Sequence, residues 1–192
     1  TLLETYEVLL RYKPGDAREQ RCPYDDCRSP ERRFIRGTGC YRCPCSLGRQ
    51  LYSTDALRFA EGMNRGGTNG AMFAEIMQVL ERVWIIHILR TLEANNWLSS
   101  LRRLAIVLDG PLAVFGHPAW LSQAIAQELM RLNEATRQTN DGQDLLLLGV
   151  EKSGMFVDHF NLLDQEVSGS QGRFPARAAL LLDDQYIKAN II

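Results

Sequence analysis

Bulk charge is nearly absent from this chain: 22 Lys and Arg offset 23 Asp and Glu in 192 residues, leaving a formal net charge of −1. A nucleic-acid partner is therefore not announced by overall charge, and such a role must rest on local patches. Long hydrophobic runs are missing too. The most apolar stretch, residues 83–92, is interrupted by His87 and Arg90 and is too short to cross a bilayer. Nothing reads as a signal peptide, so a cytoplasmic protein is expected. There are only three histidines, His87, His117 and His159, too scattered for a His-ligated catalytic zinc. Walker A, dinucleotide-binding, G-x-S-x-G and H-E-x-x-H sequences are absent, as are periodic repeats. These absences count against nucleotide hydrolysis, nicotinamide chemistry, serine hydrolysis and zinc proteolysis.

Cysteine is missing from everything beyond residue 45, and its concentration before that point is informative. Cys22, Cys27, Cys40, Cys43 and Cys45 form the pattern C-P-x3-C, a spacer, then C-x2-C-P-C. Two close cysteine pairs on turns with a hairpin-length spacer have zinc-ribbon geometry. Residues 13–50 are poor in aliphatics and need such a staple, because they cannot build an apolar core. Four of the five thiols would hold Zn2+, and a cytosolic setting disfavours the alternative of disulfides. The segment is also basic, with Arg32, Arg33, Arg36 and Arg42 among its arginines and Tyr24, Phe34 and Tyr41 interleaved. That composition suits a nucleic-acid patch or a protein-docking face equally.

Residues 1–12 place Leu2, Leu3, Tyr6, Leu9 and Leu10 at helical spacing, and Pro14-Gly15 ends the pattern. Ser53-Thr54-Asp55 are N-cap types, and residues 53–64 are expected to be helical. A Gly-rich turn, residues 65–70, precedes the longest helical signal, residues 71–97. At about 100° per residue, Glu75, Gln78, Arg82, Arg90 and Glu93 gather on one polar stripe and nearly everything else is apolar. Such a helix is expected inside the fold. Glu81 falls off the stripe, among Met77, Ile85, Ile88 and Leu92, where a carboxylate must be paired, protonated or bound to a metal. His87 also falls off it, and a hydrogen-bonded core histidine is the simpler reading.

From residue 103 the pattern becomes β-α-β. The strand Leu104–Leu108 runs into Asp109-Gly110-Pro111-Leu112. A helix with Pro118 in its first turn carries Leu121, Ala124, Ile125, Leu129 and Leu132 on one face, and a second strand follows at residues 145–150. Two buried strands joined by a helix imply a parallel pair. Asp109 and Lys152 then leave neighbouring strands at one edge, where α/β sheets bind ligands. Residues 155–166 suit a short helix, and Ala178–Leu182 a third strand ending in Asp183-Asp184. Asp109 also suits a plain turn cap, since Asp-Gly is a common turn pair. Acids at strand ends plus Glu81 on a packed helix form the inventory of a two-metal phosphodiester site. Hard oxygen ligands there suit Mg2+ or Mn2+, with Lys152 on a phosphate.

Three stretches, residues 104–112 (LAIVLDGPL), 146–154 (LLLGVEKSG) and 180–187 (LLLDDQYI), resemble the core of NurA-type nucleases. So does Met77-Gln78-Val79-Leu80-Glu81, and residues 43–58 resemble a cysteine-rich insertion of bacterial members. The resemblance implies an RNase H-like α/β fold with a mixed sheet and packed helices, plus a small zinc ribbon at residues 13–50. The nuclease core would be residues 1–12 and 51–192. It implies a manganese- or magnesium-dependent DNA nuclease acting on DNA ends or single strands. A HerA-type hexameric ATPase would be its partner, in DNA repair or phage (antiviral) defence, with the nuclease itself a homodimer. Asp109 and Glu81 correspond to metal ligands, and Lys152 to the lysine after the next strand. The family's N-terminal Asp and its C-terminal Tyr and His have no counterpart here, so a segment cut at both ends, or an incomplete site, is expected. The alternative is a non-catalytic zinc-ribbon adaptor that docks DNA or an ATPase ring.

Overall fold

A computed structural model describes residues 1–13, 19–20, 27, 32–33, 40–43, 48–168, 174–175 and 177–191. The chain divides into two compact units. The first holds Thr1–Ile106 and Leu112–Leu147, and the second Val107–Pro111 and Leu148–Ile192.

The first unit is mostly helical. Helix α1, Leu2–Leu10, opens with a capping box in which the Thr1 hydroxyl accepts from the Glu4 amide and the Glu4 carboxylate takes the Thr1 amine. Helix α2 spans Gly70–Ala94 and helix α3 Trp120–Thr139. Their facing sides meet in one core of Tyr6, Leu9, Leu57, Val79, Val83, Ile86, Val114, Leu121, Ala124 and Ile125. A second cluster of Leu89, Leu98, Leu101 and Leu132 seals the far ends of α2 and α3. Leu98 and Leu101 belong to a 3-10 helix, Leu98–Arg103, which leads into the first long strand.

Before α2 lie two small antiparallel pairs. Strand β1, Glu19–Gln20, pairs with β2, Arg32–Arg33, and strand β3, Cys40–Arg42, pairs with β4, Gln50–Tyr52. The expected helix over residues 53–64 is instead two 3-10 turns, Ser53–Leu57 and Phe59–Gly62, broken at Arg58 with φ +59°. The Asp55 carboxylate accepts from the Tyr52 amide at 2.8 Å, which holds the chain in this tighter winding.

Strands β5, Ala105–Asp109, and β6, Leu146–Val150, form the expected small parallel sheet with α3 as the crossover. They are not buried on both faces: only Leu108 is buried, while Val107, Leu146 and Leu148 are exposed. The third strand foreseen at Ala178–Leu182 does not join the ladder. Two strands cannot cover their own two faces, which accounts for this exposure among the described residues. The second unit continues with helix α4, Met155–Ser168, and helix α5, Asp184–Asn190. Rings of His159 and Tyr186 link these two helices, with Nε2 and the phenol oxygen 3.0 Å apart. No helix among the described residues is long and apolar enough to cross a membrane.

Candidate active site

Strand β5 stops at Asp109 because Gly110, at φ +107°, and Pro111 turn the chain away. The Gly110 amide donates to the Val150 carbonyl at 2.7 Å, which registers the ends of β5 and β6. Two residues on from Val150, Lys152 places its Nζ 2.8 Å from Asp109 Oδ2. The two side chains are about three-quarters exposed, at 73% and 75%. At that exposure an ion pair contributes about 0–1 kcal/mol to stability. Both groups are therefore open to a ligand. Asp109 presents a carboxylate with hard oxygen donors, and Lys152 an ammonium able to take a phosphate oxygen.

The loop that follows is pinned in the first unit. Ser122 Oγ accepts from the Val114 amide at 2.6 Å and donates to the Val114 carbonyl at 3.0 Å. Gln78 of α2 accepts from the Phe115 amide at 3.0 Å, and Glu75 lies 3.3 Å from His117 Nδ1. Gly116, at φ +78°, lets the loop pass so close that an added Cβ would lie 2.1 Å from Glu75 Oε1. Pro118 is then buried at the start of α3.

Glu81 is placed differently from the expectation. Its side chain is half-exposed and pairs with the buried Arg82 beside it. The face of α2 that carries it holds Phe73, Met77, Leu80, Trp84 and Ile88, all exposed, so α2 buries one side only. Periodicity groups residues onto a face, but it does not say which faces meet a neighbour. Glu81 belongs to the first unit, Asp109 and Lys152 to the second. His87 meets its simpler reading, with Nδ1 2.9 Å from the Thr5 hydroxyl. Asp183 caps α5, accepting from the Tyr186 amide at 2.7 Å, rather than ending a strand. Among the described residues, no three His, Cys, Asp or Glu side chains gather as a metal-binding group.

Of the basic segment, Arg42 is exposed on β3, and Arg32 and Arg33 form β2. Arg36, Cys22 and Cys45 lie outside the described residues, and Cys40 begins β3. Cys27 and the buried Cys43 bring their sulfurs to 3.6 Å.

One charged group that sequence reasoning overlooked is fully buried. Glu128 of α3 receives Tyr12 Oη at 3.0 Å, Arg131 Nη2 at 2.9 Å and the Arg90 guanidinium. Arg131 also makes a two-pronged pair with Glu93 of α2 at 2.7 Å on each prong. Burial pushes the Glu128 carboxyl up, but its bonds from Arg131, Arg90 and Tyr12 outweigh this and hold it below the ordinary value. The Arg131 bond likewise lowers Glu93. The signal was available, since Glu128 falls between Ala124, Ile125 and Leu132 on the apolar face of α3.

The family model described as the NurA domain matches residues 46–192, from the end of the cysteine-rich segment to the last residue. The chain belongs to the NurA family. The matched span holds Asp109, Lys152 and Glu81, while Cys27, Cys40 and Cys43 precede it. NurA domains are those of a family of DNA nucleases that are generally metal-dependent. No curated protein and no solved structure matches the chain.

Proposed function

We propose that this chain hydrolyses DNA phosphodiesters with a divalent metal, Mn2+ or Mg2+, using Asp109 and Lys152; a role for Glu81 is carried by the family resemblance alone. The observation that carries this reading is the Asp109–Lys152 pair. An acid and a cation 43 residues apart meet at 2.8 Å, exposed, where strands β5 and β6 end, in a chain of a nuclease family. The donor chemistry fits a hard divalent ion, because the exposed Asp109 carboxylate offers hard oxygen donors. A bound ion would activate water and neutralise charge on the leaving oxygen. The chain's own contribution is to aim Asp109 from a fixed strand end and to offer the Lys152 ammonium to a backbone phosphate. Arg32, Arg33, Arg36 and Arg42 would add phosphate contacts from the basic segment.

The finer reading rests on the family resemblance. It comprises action at DNA ends or on single strands, a homodimer, a HerA-type ATPase partner, and a role in repair or antiviral defence. An RNase H-like arrangement of the core is part of the same reading. The test is cleavage of linear DNA with Mn2+ and with Mg2+. Asp109→Ala and Glu81→Ala should each lower the rate by about 10²–10³-fold while unfolding stays unchanged. Unaltered rates in both variants would remove these residues from the site. The alternative is a non-catalytic zinc-ribbon adaptor that binds DNA or docks an ATPase ring. DNA binding without cleavage under either metal would decide for it.

A further inference from the structure

We propose that the short ridge from Trp97 to Arg103 is a docking site for single-stranded DNA, with the Trp97 indole stacking on a base and Arg102 and Arg103 holding neighbouring phosphates. Helix α2 ends in a doubly bonded closure. The Asn96 amide donates to the Glu93 carbonyl at 3.0 Å and the Trp97 amide to the Leu92 carbonyl at 2.8 Å, with Asn96 left-handed at φ +58°. In this closure the residue at the position of Trp97 ordinarily packs back onto the last turn of the helix. Trp97 is instead 59% exposed, which forgoes the large apolar burial an indole can supply. The backbone beneath it is nonetheless fixed. The Trp97 carbonyl accepts from the Ser100 amide at 3.0 Å and from Ser100 Oγ at 2.7 Å. Leu98 and Leu101 are buried, and the Asn140 side-chain amide donates to the Leu98 carbonyl at 3.1 Å. An aromatic residue presented outward on so firm a base has less freedom left to lose when a ligand arrives.

The 3-10 winding of Leu98–Arg103 sets what stands beside the indole. At three residues per turn, Trp97, Ser100 and Arg103 share one face, and a rise of about 2.0 Å per residue puts Arg103 about 12 Å along it. Ser100 is a small spacer between them. Arg102 and Arg103 are both exposed. Arg102 meets Asp141 at 3.2 Å in an open pair, and Arg103 makes no ion pair among the described residues. An open pair of that kind contributes little and yields to a phosphate, which takes a guanidinium on two prongs. An aromatic face beside uncommitted cations suits an unstacked strand, in which every base offers a π-face and every nucleotide a phosphate. A duplex offers the phosphates but hides its base faces, so the indole selects single strands. An apolar protein partner would match the indole and leave the two arginines unmatched. The choice of DNA rests on the nuclease reading above, but binding at this ridge needs no metal.

The test is binding of a labelled oligothymidylate and of a closed circular duplex to the whole chain, in a chelator that prevents cleavage. Trp97→Ala should weaken oligothymidylate binding about tenfold and leave duplex binding and the melting temperature unchanged. Trp97→Phe, which keeps a stacking face, should retain most of the affinity. Arg103→Met should reduce the slope of log affinity against log salt by about 0.7 on the single strand. The unaltered chain gives an independent reading: oligothymidylate should quench its indole fluorescence, and Trp97→Phe should remove that quenching. Unchanged oligothymidylate affinity in Trp97→Ala, equal weakening on the duplex, or no binding of the single strand would each overturn the proposal. The two readings fail separately. Binding through Trp97 without any cleavage under Mn2+ would sink the nuclease reading alone. Cleavage that depends on Asp109, with Trp97→Ala binding as before, would sink the ridge alone.

Discussion

Glu128 shows how much one side chain can hold. Its carboxylate gathers a phenol from the end of the first helical segment and guanidiniums from α2 and α3, so three pieces of the first unit converge on one charge. Removing one partner of such a group strands the others. Glu128→Gln should cost about 2–3 kcal/mol at neutral pH. That is less than a deeply buried pair would lose, because Arg90 and Arg131 reach solvent. Urea unfolding would measure it. Glu128 and Glu93 both titrate below the ordinary 4.5 in the folded chain, so as pH falls the unfolded chain takes up protons first. Their stabilisation is complete above that value and is lost as pH drops through the folded values. Glu128→Gln should therefore flatten the fall of the melting temperature between about pH 5 and 3. At the strand end, Lys152→Met should leave stability within about 0.5 kcal/mol. It should also reduce the slope of log DNA affinity against log salt by about one unit.

Among the elements, α2 and the loop after β5 behave differently. On α2, Val83 and Ile86 are buried, whereas Met77 and Trp84 face solvent. Ile86→Ala should cost about 2–4 kcal/mol. Met77→Gln should stay within about 0.5 kcal/mol. Equal losses at both positions, read by thermal unfolding, would mean that the outer face is covered. Gly116→Ala faces both a left-handed backbone and the Glu75 carboxylate, and should cost about 1–3 kcal/mol. Shortening Glu75 to Ala in the same chain should restore part of it.

These elements also mark how far the sequence could be read. Helices α1, α2 and α3 and strands β5 and β6 were legible because periodicity and the Gly-Pro and Asp-Gly punctuation report local geometry directly. The Asp109–Lys152 meeting followed from topology, since a strand–helix–strand unit brings both strand ends to one edge. Glu81's exposure was not legible, because a helical wheel has no information about neighbours. The 3-10 turns at residues 53–62 were missed because Asp55, a good cap for a following α-helix, is engaged by the Tyr52 amide. The strand at Ala178–Leu182 was expected from apolar content alone, and an apolar run specifies burial more than it specifies a ladder partner.

For the whole molecule, the two units differ in how they are built. All members of both hydrophobic clusters lie between Leu2 and Leu145, within the first unit. A fragment of residues 1–147 should therefore keep its helical circular dichroism and unfold cooperatively, which a thermal scan would show. A non-cooperative melt would place essential packing in the later residues. The second unit is assembled from two separated stretches, Val107–Pro111 and Leu148–Ile192. Asp109 lies on the first and Lys152 on the second, 43 positions later in the chain. At ordinary synthesis rates that interval is about 2–9 seconds. During it, Asp109 has already been made but its partner lysine does not yet exist, and the strand that registers Gly110 is also unmade. The pairing of Asp109 with Lys152 is thus among the last contacts that synthesis of the chain permits.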